Sequence, residues 1–392
     1  MEAYLDNAAT TRVCEEAAKV AEKVMREDYG NPSSKHIKGF DAEQYIRQSA
    51  KTIADILKVQ PKEIIFTSGG TESNNMALNG AALALKRNGN KIIASCFEHA
   101  SVYSPLLALK DFGFEIEFAP VDHLGHIELD KLIDMIDENT IIVSLMYVNN
   151  EVGAVQNIAE ISAAVKAKKK DVVVHVDAIQ AFGKYSIFPK KEGIDLLSVS
   201  GHKIHAPKGS GFLYADEKVK LRPLIFGGGQ QKNRRSGTEN VPAIAGLGTA
   251  VSLAYTGLED KRQKMYGLKE HFLSRISEVP GTHINAVDTE KPLSEAVRET
   301  APHIVSISFD KIKAEVLLHA LEDKQVYVSS GSACSSNHPG LSSTLKAIGV
   351  KQELLDSTLR FSFSNYTTVE EIDYCIECLK ELVPIYSRFT RK

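Results

Sequence analysis

Short apolar runs of strand length recur between residues 63 and 215: EIIFTS, KIIAS, EIEFAPV, TIIVSLMYV, DVVVHVD, DLLSVS and GFLYA. Longer stretches with apolar residues at helical spacing lie between them. Such alternation predicts an α/β fold in which a mixed, mainly parallel sheet lies between helices. Near residue 256 the texture changes. A charged helical stretch, LEDKRQKMYGLKEHFLSRI, leads into fewer strand patterns, HIVSISFD, VYVSSG and TLRFSFS, with helical patterns such as AEVLLHALEDK between them. The expectation is an N-terminal arm of residues 1–14 packed near a smaller α+β domain of residues 256–392, with a large domain over 15–255.

Composition narrows the class. At 392 residues the chain exceeds the size at which one hydrophobic core stops growing, which favours two domains. With 43% hydrophobic and 25% charged residues it reads as an ordinary globular protein. A formal net charge of -3 argues against a nucleic-acid partner, which selects a basic face. The run KAKKK at 166–170 closes an amphipathic stretch and is expected at a helix C-terminus, where lysines meet the helix dipole. MEAYLDNAATT lacks the basic start and apolar core of a signal peptide, and no apolar run is long enough to span a bilayer. Cytoplasm, with no membrane partner, is the expectation. Five irregularly spaced cysteines do not make a disulfide framework. Cys375 and Cys378 form a C-x-x-C inside the helical pattern EEIDYCIECLKELV, where packed thiols are expected. With no second C-x-x-C and no His-Glu-x-x-His, no metal site is expected.

Candidate chemistry collects where apolar runs end. In SVSGHKIHAPKGSG a strand pattern runs into Lys203 and then into turn formers, at the kind of edge where open α/β sheets bind ligands. A lysine there is commonly a solvated loop charge; partly desolvated, it becomes an amine able to form an imine. FTSGGTESNNMALNGAALAL puts Gly70 and Thr71 at a strand-to-helix turn, either a simple cap or an anion site built on backbone N–H groups. It is neither a Walker loop nor G-x-G-x-x-G, so a phosphate without a nucleotide is compatible with it. VVVHVDAIQAFG ends an apolar strand on Asp177, with Gln180 three positions on; the aspartate is a helix cap or a buried carboxylate with a cationic partner. SCFEHASV sets His99 beyond another strand, where an imidazole can be structural, stack on a ring or move a proton. An imine-forming lysine, a carboxylate for a ring nitrogen, an imidazole for a ring face and a phosphate cradle have one common ligand, pyridoxal 5'-phosphate.

The segments YLDNAATT, YGNPSS, FTSGGTESNN, EHASV, YVNNEVGAVQ, HVDAIQ, SVSGHKIHAPKG, RRSGTENV, SSGSACSS and LRFSFS, in this order, resemble the cysteine desulfurases of the class V aminotransferase family, the NifS/IscS-like enzymes, along essentially the whole chain. The resemblance implies a fold type I, pyridoxal phosphate-dependent transferase whose smaller domain carries the catalytic cysteine loop. It implies that Lys203 holds the aldehyde, that Asp177 faces the pyridine nitrogen and that His99 stacks and transfers protons. Gln180 and Asn150 would bond around the ring oxygen and substrate, Gly70, Thr71, Ser200 and His202 would hold the phosphate, and Arg360 would clamp the substrate carboxylate. Thr238 would reach the phosphate of a neighbouring subunit, making a homodimer the working unit.

Cys334, in SSGSACSSNHPG, sets a desulfurase apart from an aminotransferase. A cysteine among Ser, Gly and Ala after a short strand suits an exposed, mobile nucleophile. The implied reaction turns L-cysteine into L-alanine and leaves sulfur as a persulfide on Cys334. Delivery would go to an acceptor protein of iron–sulfur cluster assembly, of another thio-cofactor pathway or of tRNA thiolation. Selenocysteine lyase, aminotransferase and non-enzymatic assembly partner are the other readings the residues leave open. His205 and Ala206 stand where many relatives have an aromatic residue and a glycine.

Overall fold

The computed structural model describes residues 1–330 and 341–389. Its larger sheet has seven strands in the order Ile64–Thr67, Gly211–Ala215, Leu196–Ser200, Val173–Asp177, Thr140–Met146, Lys91–Ser95 and Glu115–Ala119. Gly211–Ala215 runs against both of its neighbours, and the pairs beyond it are parallel. All the other strands therefore end at one edge of the sheet. Each apolar run quoted for this region is a strand, trimmed where the backbone cannot continue the ladder: EIEFAPV stops at Ala119, before Pro120, which has no N–H to give.

The sheet is buried on both faces, which is why its strands read as unbroken apolar runs. Ile64 and Phe66 join one apolar cluster and Ile65 the other; Phe212 and Tyr214 side with the first and Leu213 with the second. Helices Ile158–Lys168 and Val241–Tyr255 complete the first cluster, through Ile161, Val165, Leu247 and Val251. Helices Gly70–Leu85 and Ala100–Leu109 complete the second, through Met76, Leu78, Leu106 and Leu109. The lysine run does close a helix, and Lys166 turns back to bind Asp195 at 2.5 Å.

A smaller antiparallel sheet follows the order Ser329–Ser330, Thr358–Ser362, Ile304–Phe309, Thr282–Ile284. Helices Leu258–Ile276, Ala314–Asp323 and Val369–Tyr386 cover it around a core holding Phe272, Phe309 and Phe361. Cys375 and Cys378 are buried in the last of these helices. The pattern VYVSSG is split between two sheets: Val326–Tyr327 pairs in parallel with Ala3–Tyr4, and Ser329–Ser330 with Thr358–Ser362. Strands of two or three residues are too short to show a period, so Ala3–Tyr4 and Thr282–Ile284 leave no mark in the sequence. Among the described residues no single helix is long and apolar enough to cross a membrane.

One close approach joins this architecture to the region where the strands end. A Cβ on Gly211 would lie 2.6 Å from the Val199 carbonyl oxygen and 2.8 Å from Gly69 Cα. The Gly69–Gly70 turn can therefore lie against the end of Leu196–Ser200 only while position 211 is a glycine. Gly211→Ala should destabilise the protein by about 1–3 kcal/mol, the usual cost of overpacking, read as a lowered thermal midpoint. An unchanged midpoint would show that the turn has room to retreat.

Candidate active site

The shared carboxyl edge of the large sheet opens into a cavity of about 240 Å³. The wall residues of the large sheet arrive at strand ends, and Ala8 and Ala9 come from the N-terminal arm. Gly70 and Thr71 follow Ile64–Thr67, His99 follows Lys91–Ser95, Asn150 follows Thr140–Met146, Asp177 and Gln180 end or follow Val173–Asp177, and Ser200, His202 and Lys203 end or follow Leu196–Ser200. Arg360 joins them from Thr358–Ser362 of the smaller sheet. Two positions stand apart. Thr238 is exposed and does not line the cavity, and Cys334 lies outside the described residues.

Lys203 ends a tight 3-10 turn, Gly201–Lys203, and its Nζ donates to the carbonyl oxygens of Ala8 and Ala9, each at 2.6 Å. The N-terminal arm is held against this turn by Thr11, whose backbone N–H and hydroxyl both donate to the His202 carbonyl at 2.9 Å. His205 takes a left-handed backbone, φ 65°, and its N–H donates to Thr11 Oγ1 at 2.8 Å. Its ring meets Tyr366 edge-on, with centroids 4.9 Å apart. His202 is pulled down to about 4 by burial and by the nearby charges of Lys203, Lys208 and Lys184.

Asp177 is almost fully buried. Its Oδ2 accepts from Asn74 Nδ2 at 2.8 Å and its Oδ1 from the Ile179 N–H at 3.0 Å. Burial raises its carboxyl above the ordinary value, while the two hydrogen bonds, His99 and Lys203 pull the other way. Behind it the carboxyl of Glu98, bonded to the Ser95 hydroxyl, is raised well above its usual range by burial and then by the neighbouring Asp177. His99 caps helix Ala100–Leu109. Its Nδ1 accepts from the Ser101 N–H at 3.1 Å, so a neutral ring carries its proton on Nε2.

Gly70 opens a helix that no side chain caps. A Cβ on Gly70 would sit 2.2 Å from Ile179 Cδ1, so a larger residue there would have to displace that side-chain tip. The same turn, with Thr71, Ser200 and His202, lines a more open hollow of about 340 Å³ outside the cavity. Helix N–H groups, hydroxyls and an imidazole make that hollow suited to an anion. Arg360, only 3% exposed, donates from one terminal nitrogen to the Asn150 carbonyl at 2.8 Å and from the other to Asp6 Oδ1 at 2.9 Å. Its Nε has no partner among the described residues, nor has Asn74 Oδ1. A buried, unspent guanidinium N–H is a ready donor to a carboxylate.

Reading the sequence missed several groups that act on these walls: Asp6, Asn74, Glu98, Lys184 and His303. Asn74 had a signal, since it stands one helical turn beyond Gly70 and so on the same face. Asp6 and Arg360 are 354 residues apart, and no local pattern links them.

Known proteins share this sequence and this fold. A family model described as aminotransferase class-V matches residues 3–375. The chain is 40% identical over 380 residues to a cysteine desulfurase IscS of Methanosarcina thermophila, covering 97% of this chain and 91% of that one. A solved NifS-like protein superposes with a TM-score of 0.90 at 35% identity, covering 98% of this chain and all of the other, 100%. SspA, solved in complex with cysteine, superposes with a TM-score of 0.79 at 30% identity, covering 93% of this chain and 100% of that one.

The buried carboxyl of Asp177 yields a pH prediction. Its folded affinity for a proton is raised, so folding retains a proton that the unfolded chain releases, and stability falls as pH rises through the folded pKa. In Asp177→Asn that loss disappears. Rotation of the Asn74 amide lets its unpartnered Oδ1 accept from the new side chain. Without cofactor, Asp177→Asn should melt above wild type at about pH 8, the gap closing toward about pH 4. Parallel pH profiles would show that Asp177 carries no such cost.

Proposed function

The chain belongs to the class-V aminotransferase family, and on that premise we propose that it is a pyridoxal phosphate-dependent cysteine desulfurase that turns L-cysteine into L-alanine and passes the sulfur to Cys334. The observation that carries the reading is the meeting of Lys203, Asp177 and Arg360 in one cavity. An amine, a buried carboxylate and a guanidinium with a spare N–H fit an aldehyde, a cationic ring nitrogen and a substrate carboxylate in turn.

Bound pyridoxal phosphate supplies an aldehyde for imine formation and an electron sink that weakens the bonds at the substrate's Cα. Asp177 gives the ring nitrogen a buried counter-charge, and the nitrogen in turn relieves the cost of burying the carboxylate. Gly70, Thr71, Ser200 and His202 hold the phosphate in the outer hollow. Arg360, anchored by Asp6 and the Asn150 carbonyl, orients the substrate through Nε. Gln180 and Asn150 would bond around the ring oxygen and substrate, and His99 would stack on the ring and transfer a proton through Nε2. Lys203 would hold the aldehyde and, as a free amine, would take the proton from the substrate's Cα.

The Cys334 thiolate then attacks the substrate sulfur. An S–S bond forms as the Cβ–S bond breaks, and the electron pair returns to the substrate carbon, which is protonated on the way to alanine. Cys334 is left as a persulfide, which a thiol of an acceptor protein can take. On this reading the acceptor serves iron–sulfur cluster assembly or another thiolation pathway. The working unit is a homodimer in which Thr238 reaches the partner's phosphate. The arm of residues 1–14, the large domain of 15–255 and the small domain of 256–392 are its parts; the smaller sheet has an apolar core of its own, while Ala286, Ala301, Ile304, Leu345, Ile348 and Leu355 pack into that of the larger sheet.

Purified wild type and Cys334→Ala, each given L-cysteine and a reductant, decide the proposal. Wild type should release equimolar alanine and sulfide. The variant should lose both by roughly 1,000-fold or more while keeping the visible absorbance of bound cofactor. Undiminished alanine from the variant would overturn the role of Cys334, and alanine from selenocysteine but not from cysteine would make the protein a selenocysteine lyase.

A further inference from the structure

We propose that His303 is a positioning residue, which holds the side-chain amide of Gln180 in one orientation in the wall of the cavity. The inference deepens the proposed function, because Gln180 matters to the reaction only if a cofactor sits beside it. Its footing is a set of hydrogen bonds internal to the chain.

Gln180 Nε2 donates to the Ala8 carbonyl at 2.9 Å, the same oxygen that takes Lys203 Nζ at 2.6 Å. A carbonyl can only accept, so the amide must turn its NH2 to Ala8 and its oxygen away. That oxygen lies 3.2 Å from His303 Nε2. An amide oxygen also only accepts, so the proton of the imidazole is on Nε2. Nδ1 is buried with no partner among the described residues, which leaves it unprotonated and the ring neutral. Burial, reinforced by Lys184, Lys269, Arg360 and Lys203, holds His303 well below the usual histidine range, so the ring does not charge at neutral pH. One tautomer is therefore enforced from both ends.

The ring is fixed from the smaller sheet. His303 immediately precedes Ile304–Phe309, is 1% exposed, and its carbonyl accepts from the Phe363 N–H at 2.9 Å. Gln180 follows a strand of the larger sheet, so the bond joins segments of the two sheets. With the donor gone, Oε1 of the buried Gln180 loses that hydrogen bond. A rotated amide would set that oxygen against the Ala8 carbonyl, where two acceptors repel. Either outcome disturbs the carbonyl on which Lys203 rests. His303 thus acts through Gln180 and touches no reacting atom.

The test uses His303→Leu, which removes the donor, and His303→Asn, which retains an N–H, each alone and combined with Gln180→Ala. His303→Met serves as a second donor-free replacement should the leucine variant not fold. Two quantities are read: affinity for pyridoxal phosphate together with the position of its visible band, and the melting temperature of the cofactor-free protein. Loss of the donor should weaken cofactor binding roughly tenfold and move the band, whereas the asparagine variant stays within about threefold of wild type. In the Gln180→Ala background the donor-free replacement should change binding by less than about twofold, and the two melting shifts should be non-additive. Equal weakening with and without Gln180, or an asparagine variant no better than leucine, overturns the proposal. A wild type that takes up no pyridoxal phosphate counts against the cofactor reading instead; additive melting shifts in the cofactor-free protein then overturn the role of His303 on their own.

Discussion

The carbonyl oxygens of Ala8 and Ala9 are the point on which the rest of the site depends. Both accept from Lys203 Nζ, across 195 and 194 residues of sequence. The short arm that carries them is stitched to each sheet in turn. Leu5 and Asn7 exchange backbone bonds with Ser362, whose hydroxyl accepts from the Ala8 N–H at 2.8 Å. Asp6 binds Arg360, and Thr11 binds the turn before Lys203. Backbone groups removed from water must find partners, and here the partners belong to different sheets. The arm acts as a strap, setting Lys203 beside one sheet against Arg360 of the other.

Burial around that strap opposes charge of either sign. Asp177, Glu98 and Glu151 hold their protons more tightly than free carboxyls, and Lys184 is pulled down to about 7 by burial and by Lys203. Lys184 donates to the backbone carbonyl of Lys203 at 2.8 Å, so this buried amine also fixes the Gly201–Lys203 turn. Glu151 is met by the hydroxyls of Ser342 at 2.6 Å and Thr344 at 3.2 Å, just after the segment that holds Cys334. Such a gathering of perturbed groups is a mark of functional sites. The proposed cofactor carries complementary charges, a cationic ring atom for Asp177 and an anionic phosphate for the hollow beside His202. Ground built to be uncomfortable without a ligand binds one more selectively.

Much of this was legible before any tertiary contact was known. An apolar run that stops abruptly at a polar residue marks a strand emerging at a sheet edge, so Lys203, Asp177, His99 and Gly70 could be singled out from local pattern. Their meeting in one cavity follows from the parallel sheet, which turns every such strand end to the same side. Asn150, Ser200, His202, Thr238 and Arg360 had no comparable local mark and came only through resemblance. Thr238 is exposed and away from the cavity, and in a single chain its place in the site rests on the proposed dimer.

The order of apolar and polar residues by itself determined the α/β class, the seven strands of the large sheet and the helical patterns at 258–276, 314–324 and 370–383, because periodicity is a local property of the chain. Tertiary structure alone decided the partners: Asp6 for Arg360, Asn74 for Asp177, His303 for Gln180, and the arm for Lys203. A hydrogen bond depends on donor and acceptor arriving within about 3 Å of each other, and residues that meet across hundreds of positions leave no periodic trace of it in the sequence. Local pattern could name the groups with chemistry to offer; only the packing of two sheets on one short arm could say what each would be held against.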